Sequence, residues 1–201
     1  MNFGTSPVTV QNITSISNST IFNGITPVPG STKLILAADS ASGAVWRVNI
    51  NSGAYDIAFS DPLFANTATG TLGINGIRSR EGYLYFTNSA QGIFGRVPID
   101  NEGSKIGAVE IIATVPSGVV YDDFALDTSG KTWIASHPNE VVMVQPDGSQ
   151  QVITDTTLLL NPTNSVFGRG NWKESQTLYV TNGGWFVGND LVNGSVVAVD
   201  L

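Results

Sequence analysis

The sequence contains no cysteine, a single histidine and few charged residues, which make up 12% of the chain. Without cysteine there is no disulfide bond, no thiolate nucleophile and no zinc–cysteine site. The sequence has one histidine and no G-x-S-x-G motif, which argues against a serine-type catalytic triad. Missing disulfides are typical of a reducing compartment and the N-terminus lacks a signal-peptide core, so the cytoplasm is slightly favoured.

Basic residues are also scarce, because nine Lys and Arg stand against 16 Asp and Glu for a formal net charge of −7. An acidic chain without a basic cluster is repelled by nucleic acid and by anionic membrane surfaces. No apolar run reaches the length of a membrane span. We therefore expect a small-molecule partner, and neither nucleic acid nor membrane.

The chain has instead many glycines (22) and a repeated pattern of short apolar strands. Each repeat contains two apolar strands joined by a polar turn, preceded by a shorter strand and, in three repeats, followed by another. The paired strands occupy Leu34–Ile50, Leu84–Ile99, Thr132–Pro146 and, with an insertion in the hairpin, Leu178–Leu201. The preceding strands begin at Phe22, Ile74, Tyr121 and Thr163, and the following strands are Tyr55–Phe59, Val109–Ala113 and Gln151–Thr154.

Four antiparallel strands repeated at regular spacing predict an all-β fold, a β-propeller of about four four-stranded blades. We place them in one partial domain, residues 1–201, at about 20–61, 72–114, 120–155 and 161–201. Residues 8–13 are predicted to be a strand of a preceding or closing blade. The alternative is a β-sandwich with coincidental similarity between strands. Because an unpaired sheet edge favours association, we expect ring closure or self-association that completes the ring.

Polar residues at equivalent positions of the blades are expected to converge at one mouth of the central channel. One set lies at the start of each inner strand and comprises Asn23, Asn75, Asp122 and Thr163 or Asn164. A second set follows the second strand of each blade and comprises Asp39, Asn88, His137 and Asn182. Carboxylate and amide oxygens are ligands suited to calcium, whereas Asn-Gly, Asp-Ser and His-Pro pairs also simply form turns. Trp185, in the inserted loop, either covers the channel mouth or packs within its blade.

Five segments follow one another in these repeats: FNGIT, LAADSASGAVWRVN, GINGIRSREGYLYFTNSAQGIFGRVPID, DDFALDTSGKTWIASHP and NPTNSVFGRG…LYVTNGG. Through these segments the sequence resembles the family of regucalcin (senescence marker protein), gluconolactonases and strictosidine-synthase-like proteins. The resemblance is strongest to fungal members. It implies part of a six-bladed propeller that holds one divalent cation, commonly calcium, in its channel. Of the implied ligands, Asn75 matches the family's NG asparagine, Asp122 matches its aspartate and Asn23 matches a further asparagine. The family's first-blade Glu has no counterpart, and Asp123 stands where glycine is usual.

The resemblance and the converging polar residues lead us to expect a calcium-dependent hydrolase of lactone-like esters. Asp39, Asp123 or His137 would move the proton, since each could serve a cation-bound water as general base. Four further residues would contact the substrate: Asn88, Asn164, Asn182 and Trp185. One alternative is a metal-independent natural-product cyclase of hetero-Diels–Alder type. Another is a truncated propeller that acts as a non-catalytic binding module.

Overall fold

A computed structural model describes residues 9–116, 118–188 and 190–201, which form four antiparallel sheets and one additional hairpin. Blade 1 consists of β1 (Phe22–Pro27), β2 (Leu34–Asp39), β3 (Ala44–Asn49) and β4 (Tyr55–Ser60). Blade 2 consists of β5 (Ile74–Arg80), β6 (Tyr83–Asn88), β7 (Ile93–Pro98) and β8 (Glu110–Thr114). Blade 3 consists of β9 (Val120–Leu126), β10 (Thr132–His137), β11 (Glu140–Val144) and β12 (Gln150–Asp155).

Blade 4 is a sheet of three strands with a hairpin inserted before its last strand. Its sheet contains β13 (Pro162–Phe167), β14 (Thr177–Asn182) and β17 (Ser195–Asp200), and the hairpin contains β15 (Trp185–Val187) and β16 (Asp190–Val192). A 3-10 helix, Pro62–Phe64, and a short α-helix, α1 (Trp172–Ser175), complete the described elements. None of these helices is long and apolar enough to cross a membrane.

The first strand of each blade is the inner strand, and consecutive inner strands pack side by side. Strands within each blade follow one another in simple order, β1-β2-β3-β4 being typical. This arrangement is that of propeller blades around an axis, not of the two facing layers of a sandwich. The predicted fold class, an all-β propeller with four blades, is confirmed.

Apolar side chains hold the blades together face to face, because alternate residues of each strand point to opposite faces of its sheet. Between blades 1 and 2, Phe64 packs edge-on against Phe86 with ring centroids 4.8 Å apart. Between blades 2 and 3, Phe94 packs against Phe124 at 5.3 Å. A third cluster, around Trp133, joins blades 3 and 4. Buried aromatic rings therefore fix how the blades, and so the inner strands, are placed.

Residues 9–21 form no strand, so the strand predicted for residues 8–13 is wrong over 9–13, and Val8 lies outside the described residues. The segment crosses the face of blade 1 that points away from blade 2, where Ile13 and Ile16 line a groove with Ile35 and Val48. Because the segment lies over a face rather than beside a strand edge, its backbone has no ladder of hydrogen bonds.

The two end blades each leave one face without a neighbouring blade among the described residues. On blade 1, Ile25 and Ile57 are 58% and 52% exposed. On blade 4, Val166 and Val196 are 48% and 67% exposed. On these faces apolar side chains recur at alternate strand positions, as they do in an internal blade, but they are only partly buried.

Candidate functional site

A β-bulge near the start of each inner strand positions the predicted site residues. In β1, β5 and β9 two residues stand between successive paired positions and are opposed by one residue of the neighbouring strand; β13 shifts register at the same place. The first bulge position is held by Asn23, Asn75, Asp122 and Thr163, and the second by Gly24, Gly76, Asp123 and Asn164. Bulges re-aim side chains, so these pairs leave the regular in–out alternation of the strand. The repeat thus brings residues distant in sequence to equivalent places.

The second bulge position is glycine in blades 1 and 2 because the next inner strand passes very close. A Cβ atom on Gly24 would lie 2.7 Å from the carbonyl oxygen of Asn75, and one on Gly76 would lie 2.9 Å from Cα of Asp123 and overlap the Asp123 carboxylate. The carboxylate of Asp123 therefore occupies the space that Gly76 leaves open. This contact places an acid between the inner strands of blades 2 and 3.

Arg78, Asp123 and Asn164 form a polar group in the central cleft. The Arg78 Nη2 donates to Asp123 Oδ2 at 2.9 Å and to Asn164 Oδ1 at 3.5 Å. The Arg78 guanidinium also lies over the ring of Phe124, 5.5 Å from its centroid. Three different blades thus contribute to one hydrogen-bonded group that faces open space.

Burial raises the pKa of Asp123, and the negative charge of Asp122 adds to this, although Arg78 and the backbone N–H of Phe124 partly offset the increase. Burial acts in this direction because low polarity disfavours the charged carboxylate. Asp123 is 7% exposed and lines the cleft, so it is the predicted proton-transfer residue that the structure places beside a ligand-sized space.

The cleft has a volume of about 920 Å³ and is lined by the inner strands of all four blades. Its apolar lining includes Ile25, Val166 and Phe167. A concave space with an apolar lining and a few convergent polar groups is typical of a small-molecule site. The sequence analysis did not predict Arg78. Whether its side chain lines the cleft depends on the direction that β5 takes after its bulge.

The predicted metal ligands Asn75 and Asp122 lie on adjacent inner strands at the mouth. Asn75 is 1% exposed; its Nδ2 donates to Ser89 Oγ at 2.9 Å, while its Oδ1 is buried without a partner among the described residues. Ser89 in turn donates to the carbonyl oxygen of Tyr121 at 2.8 Å, next to Asp122. A buried amide oxygen without a partner, on the strand next to one that carries a carboxylate, is the donor chemistry that a hard divalent cation takes.

Two other features of the mouth bear on this assignment. Asn23 is exposed and lines both the central cleft and the groove over blade 1, whereas Thr163 bonds locally to Thr181. Within the described part of the chain, no group of three or more His, Cys, Asp and Glu residues is arranged to hold a metal. Amide oxygens would therefore supply most of the protein ligands of a cation here.

His137 reaches the mouth and meets Asp122. Its Nε2 lies 3.3 Å from Asp122 Oδ2, an ion-pair distance at an angle outside hydrogen-bond geometry. The two side chains are 33% and 19% exposed. His137 thus links the two predicted sets of residues. It follows the second strand of blade 3, and it lies next to Asp122 at the start of an inner strand.

Asn88 and Asn182 instead hold the connections between blades. The Asn88 Nδ2 donates to the carbonyl oxygens of Leu63 and Ala65 at 3.0 and 2.9 Å, and the Asn182 Nδ2 donates to that of Leu158 at 3.1 Å. Each asparagine ends the second strand of a blade and binds the loop that leads into the same blade. Both are buried, and these bonds give the amide N–H groups of the two asparagines a structural role. The Oδ1 of Asn182, like that of Asn75, is buried without a partner among the described residues.

Asp39 has a similar structural role in blade 1. It is fully buried, and its Oδ1 accepts hydrogen bonds from the backbone N–H groups of Ala41 and Ser42 at 3.1 and 3.4 Å. Burial acts to raise the pKa of Asp39, but the hydrogen bonds that its carboxylate accepts at Ser42 and Ala41 outweigh it and leave the pKa below its usual value. These contacts are those of the Asx turn that the sequence also allowed, and the buried carboxylate does not face the cleft.

Trp185 begins the inserted hairpin of blade 4 and is 43% exposed. Asn161 positions the start of this hairpin, because its Nδ2 donates to the carbonyl oxygen of Gly184 at 2.6 Å. Trp185 does not line the central cleft. Its predicted contact with substrate stays a prediction.

Comparison with known proteins assigns this architecture to a family. Residues 28–184 match the SMP-30/gluconolactonase/LRE-like region. A putative hetero-Diels-Alderase from Phoma sp is 30% identical over 148 residues, covering 69% of this chain and 42% of that protein. A putative hetero-Diels-Alderase from Sarocladium schorii is 27% identical over 157 residues, covering 69% of this chain and 39% of that protein. The chain thus spans about two fifths of the length of these curated relatives.

Among solved structures, the calcium-binding protein regucalcin from Agrobacterium tumefaciens has the same fold, with a TM-score of 0.58 and 19% identity. The likeness covers 80% of this chain and 52% of that protein. The match of residues 28–184 includes the inner strands that line the cleft, apart from β1. The chain belongs to the SMP-30/gluconolactonase/LRE-like family.

Proposed function

We propose that this chain forms the substrate-binding part of a propeller enzyme that closes a ring by hetero-Diels–Alder cycloaddition. The observation that carries the proposal is the group formed by Arg78, Asp123 and Asn164 in the central cleft, whose lining is also partly apolar. The naming of two curated relatives as putative hetero-Diels-Alderases supports the same reaction class.

The proposed cycloaddition requires few catalytic groups from the protein. In this cycloaddition an unsaturated carbonyl compound and an alkene form one C–C and one C–O bond, with no atom lost and no net proton transfer. The reaction is accelerated by hydrogen bonds that withdraw electrons from the carbonyl oxygen and by holding both partners in contact.

Arg78 is the donor in this proposal. A guanidinium carries five N–H groups, and the described contacts use three: one Nη1–H donates to the carbonyl oxygen of Ile77 at 2.8 Å, and the Nη2 bonds reach Asp123 and Asn164. The remaining donors are available to a carbonyl oxygen in the cleft. Asp123 and Asn164 act as positioning residues, because they fix the plane of the guanidinium.

The test uses an ortho-quinone methide, generated in solution from a 2-hydroxybenzyl ester, with ethyl vinyl ether as the alkene. Without a chiral catalyst the product, 2-ethoxychroman, is racemic. We expect an enantiomeric excess with the wild-type chain in the presence of EDTA, and a loss of most of it in Arg78→Met. Arg96→Gln, which removes a guanidinium that pairs with Glu110 outside the cleft, is the matched control and should retain it.

A racemic product with folded wild-type protein would contradict the proposal, as would an excess that Arg78→Met leaves unchanged. Chromatography on a chiral column measures both. Circular dichroism of each variant separates loss of the fold from loss of the donor.

A second candidate, calcium-dependent hydrolysis of a lactone, is favoured by the buried, unpartnered Oδ1 of Asn75, on the inner strand next to that of Asp122. Asn75 and Asp122 would hold the cation, which when bound supplies Lewis acidity toward an ester carbonyl. In this candidate His137, 3.3 Å from Asp122, and Asp123 would hold or move the proton. Exposed Asn23 is the remaining oxygen ligand proposed for this site.

Two measurements separate this candidate from cycloaddition. If it is correct, calcium raises the melting temperature of the wild-type chain but not of Asp122→Asn, and hydrolysis of D-glucono-δ-lactone stops in EDTA and returns with calcium. Equal melting temperatures with and without calcium would exclude the cation site in this chain. Binding of small molecules with neither activity would instead favour a non-catalytic binding module.

A further inference from the structure

The central cleft is basic although the protein is acidic. Three of the nine basic residues line it, namely Arg78, Arg80 and Arg169. Of the 16 acidic residues, Asp123 lines it among the described residues. A concave surface with a low-polarity lining focuses the field of such a cluster, and anions are drawn to it.

Arg80 is held mainly by neutral acceptors, which leave its charge in place. The Arg80 Nη2 donates to the carbonyl oxygen of Thr128 at 3.2 Å, and Nη1 donates to that of Asp127. Glu81, which pairs with Arg80 Nε, is 75% exposed on its side chain, so water screens that interaction. Arg78 is paired with the Asp123 carboxylate, which offsets part of its charge, while its other bonds go to the neutral oxygens of Ile77 and Asn164.

Arg169 is the third and differs from the other two. It is exposed in the loop that follows β13, and it makes no hydrogen bond or ion pair with another described residue while lining the cleft. A guanidinium without an acceptor among the described residues, in the same cleft as two guanidiniums that are held in place, is well suited to bind a planar oxyanion through two parallel N–H groups.

The remaining lining fits an apolar body. Ile25, Leu126, Val166 and Phe167 line the same space. We infer that the natural ligand of the cleft is an apolar, ring-bearing molecule that carries one carboxylate or comparable delocalised oxyanion, bound by Arg169 with the support of Arg80 and Arg78. This inference rests on the proposed function in taking the cleft as the substrate site, and it names the class of substrate.

The test compares two probes of equal shape, 2-naphthoate and the uncharged 2-naphthamide, by isothermal titration calorimetry with the full chain. We expect naphthoate to bind about tenfold more tightly at low salt, a difference of about 1.4 kcal/mol. Arg169→Gln should reduce the preference to about twofold or less, and higher salt should weaken naphthoate alone. Lys33→Gln removes the same charge from an exposed turn outside the cleft, and it should keep the preference.

Equal binding of the two probes, or binding of neither, would overturn the inference. An equal loss of preference in Lys33→Gln and Arg169→Gln would also overturn it, because net charge alone would then account for the effect. A racemic chroman product together with an intact naphthoate preference would refute cycloaddition and leave the anion site standing; the reverse result would refute the anion site alone.

Discussion

Gly76 and Asp123 share a small volume between blades 2 and 3, and their contact decides how closely the inner strands approach. Because a side chain at Gly76 would overlap the Asp123 carboxylate, the two positions constrain one another. The carboxylate then lies where Arg78 reaches it at 2.9 Å. A packing requirement at one residue therefore positions the polar group of the cleft.

We expect Gly76→Ala to lower the free energy of unfolding by about 2 kcal/mol, the range typical of an extra carbon forced into packed structure. Part of the loss should return in the double variant with Asp123→Gly, which removes the overlapping carboxylate. Urea unfolding followed by fluorescence measures both. Gly183→Ala is the control, since a Cβ there would have ordinary contacts at 3.5 Å; an equal loss in the control would refute this explanation.

The first bulge residues could be predicted from the sequence, because Asn-Gly and Asp-Asp follow the same spacing before each apolar strand. The roles of Asn88, Asn182 and Asp39 could not. A polar residue at the end of a strand can face the channel or turn back to a neighbouring loop, and the choice depends on where unpaired carbonyl groups lie in three dimensions. Arg78 was missed for a related reason, since strand alternation is interrupted at the bulge just before it.

At the scale of elements, the bonds of Asn88 join the second strand of blade 2 to the connection from blade 1. The asparagine satisfies the carbonyl oxygens of Leu63 and Ala65 and accepts from the backbone N–H of Gln91 at 3.0 Å. Both carbonyl groups belong to the segment around the 3-10 helix, which places Phe64 in the core between the two blades.

Asn88→Ala should destabilise the chain by about 2–3 kcal/mol, because buried polar groups lose their partners. Hydrogen exchange should accelerate first in residues 61–66, the segment that Asn88 holds. Asn51→Ala, in the exposed turn between β3 and β4, should change stability by less than about 0.5 kcal/mol. Unchanged exchange in that segment would mean that its other contacts, the packing of Phe64 and the bonds from Gln91 Nε2 to the carbonyl oxygens of Pro62 and Ala65, are enough to hold it.

At the scale of the whole molecule, the exposed faces of blades 1 and 4 are the surfaces where an internal blade would find its neighbours. Each carries apolar residues in the alternation that is buried elsewhere in the fold. Exposed apolar faces of this kind favour association. We propose that a second copy of the chain covers them and that the pair completes a ring of blades.

Sedimentation velocity tests this proposal. We expect a dimer at micromolar concentration that dissociates in Ile57→Lys or Val196→Lys. Val152→Lys introduces the same charge at a residue of similar exposure on β12, in an internal blade, and should leave the dimer intact. A monomer across the whole concentration range would refute self-association and direct attention to other partners for these faces.

The bonds of Asn88 to the connection between blades 1 and 2 also bear on where the backbone can be cut. The loop entering a blade is held by a residue that lies later in the sequence, at the end of that blade's second strand. The unit that these bonds hold together is therefore an incoming connector and the first hairpin of the next sheet. A backbone cut at residues 51–53 leaves both asparagine-held units whole, whereas a cut at residues 66–72 divides the one held by Asn88, so the chain cut at the first place is expected to keep more of its stability.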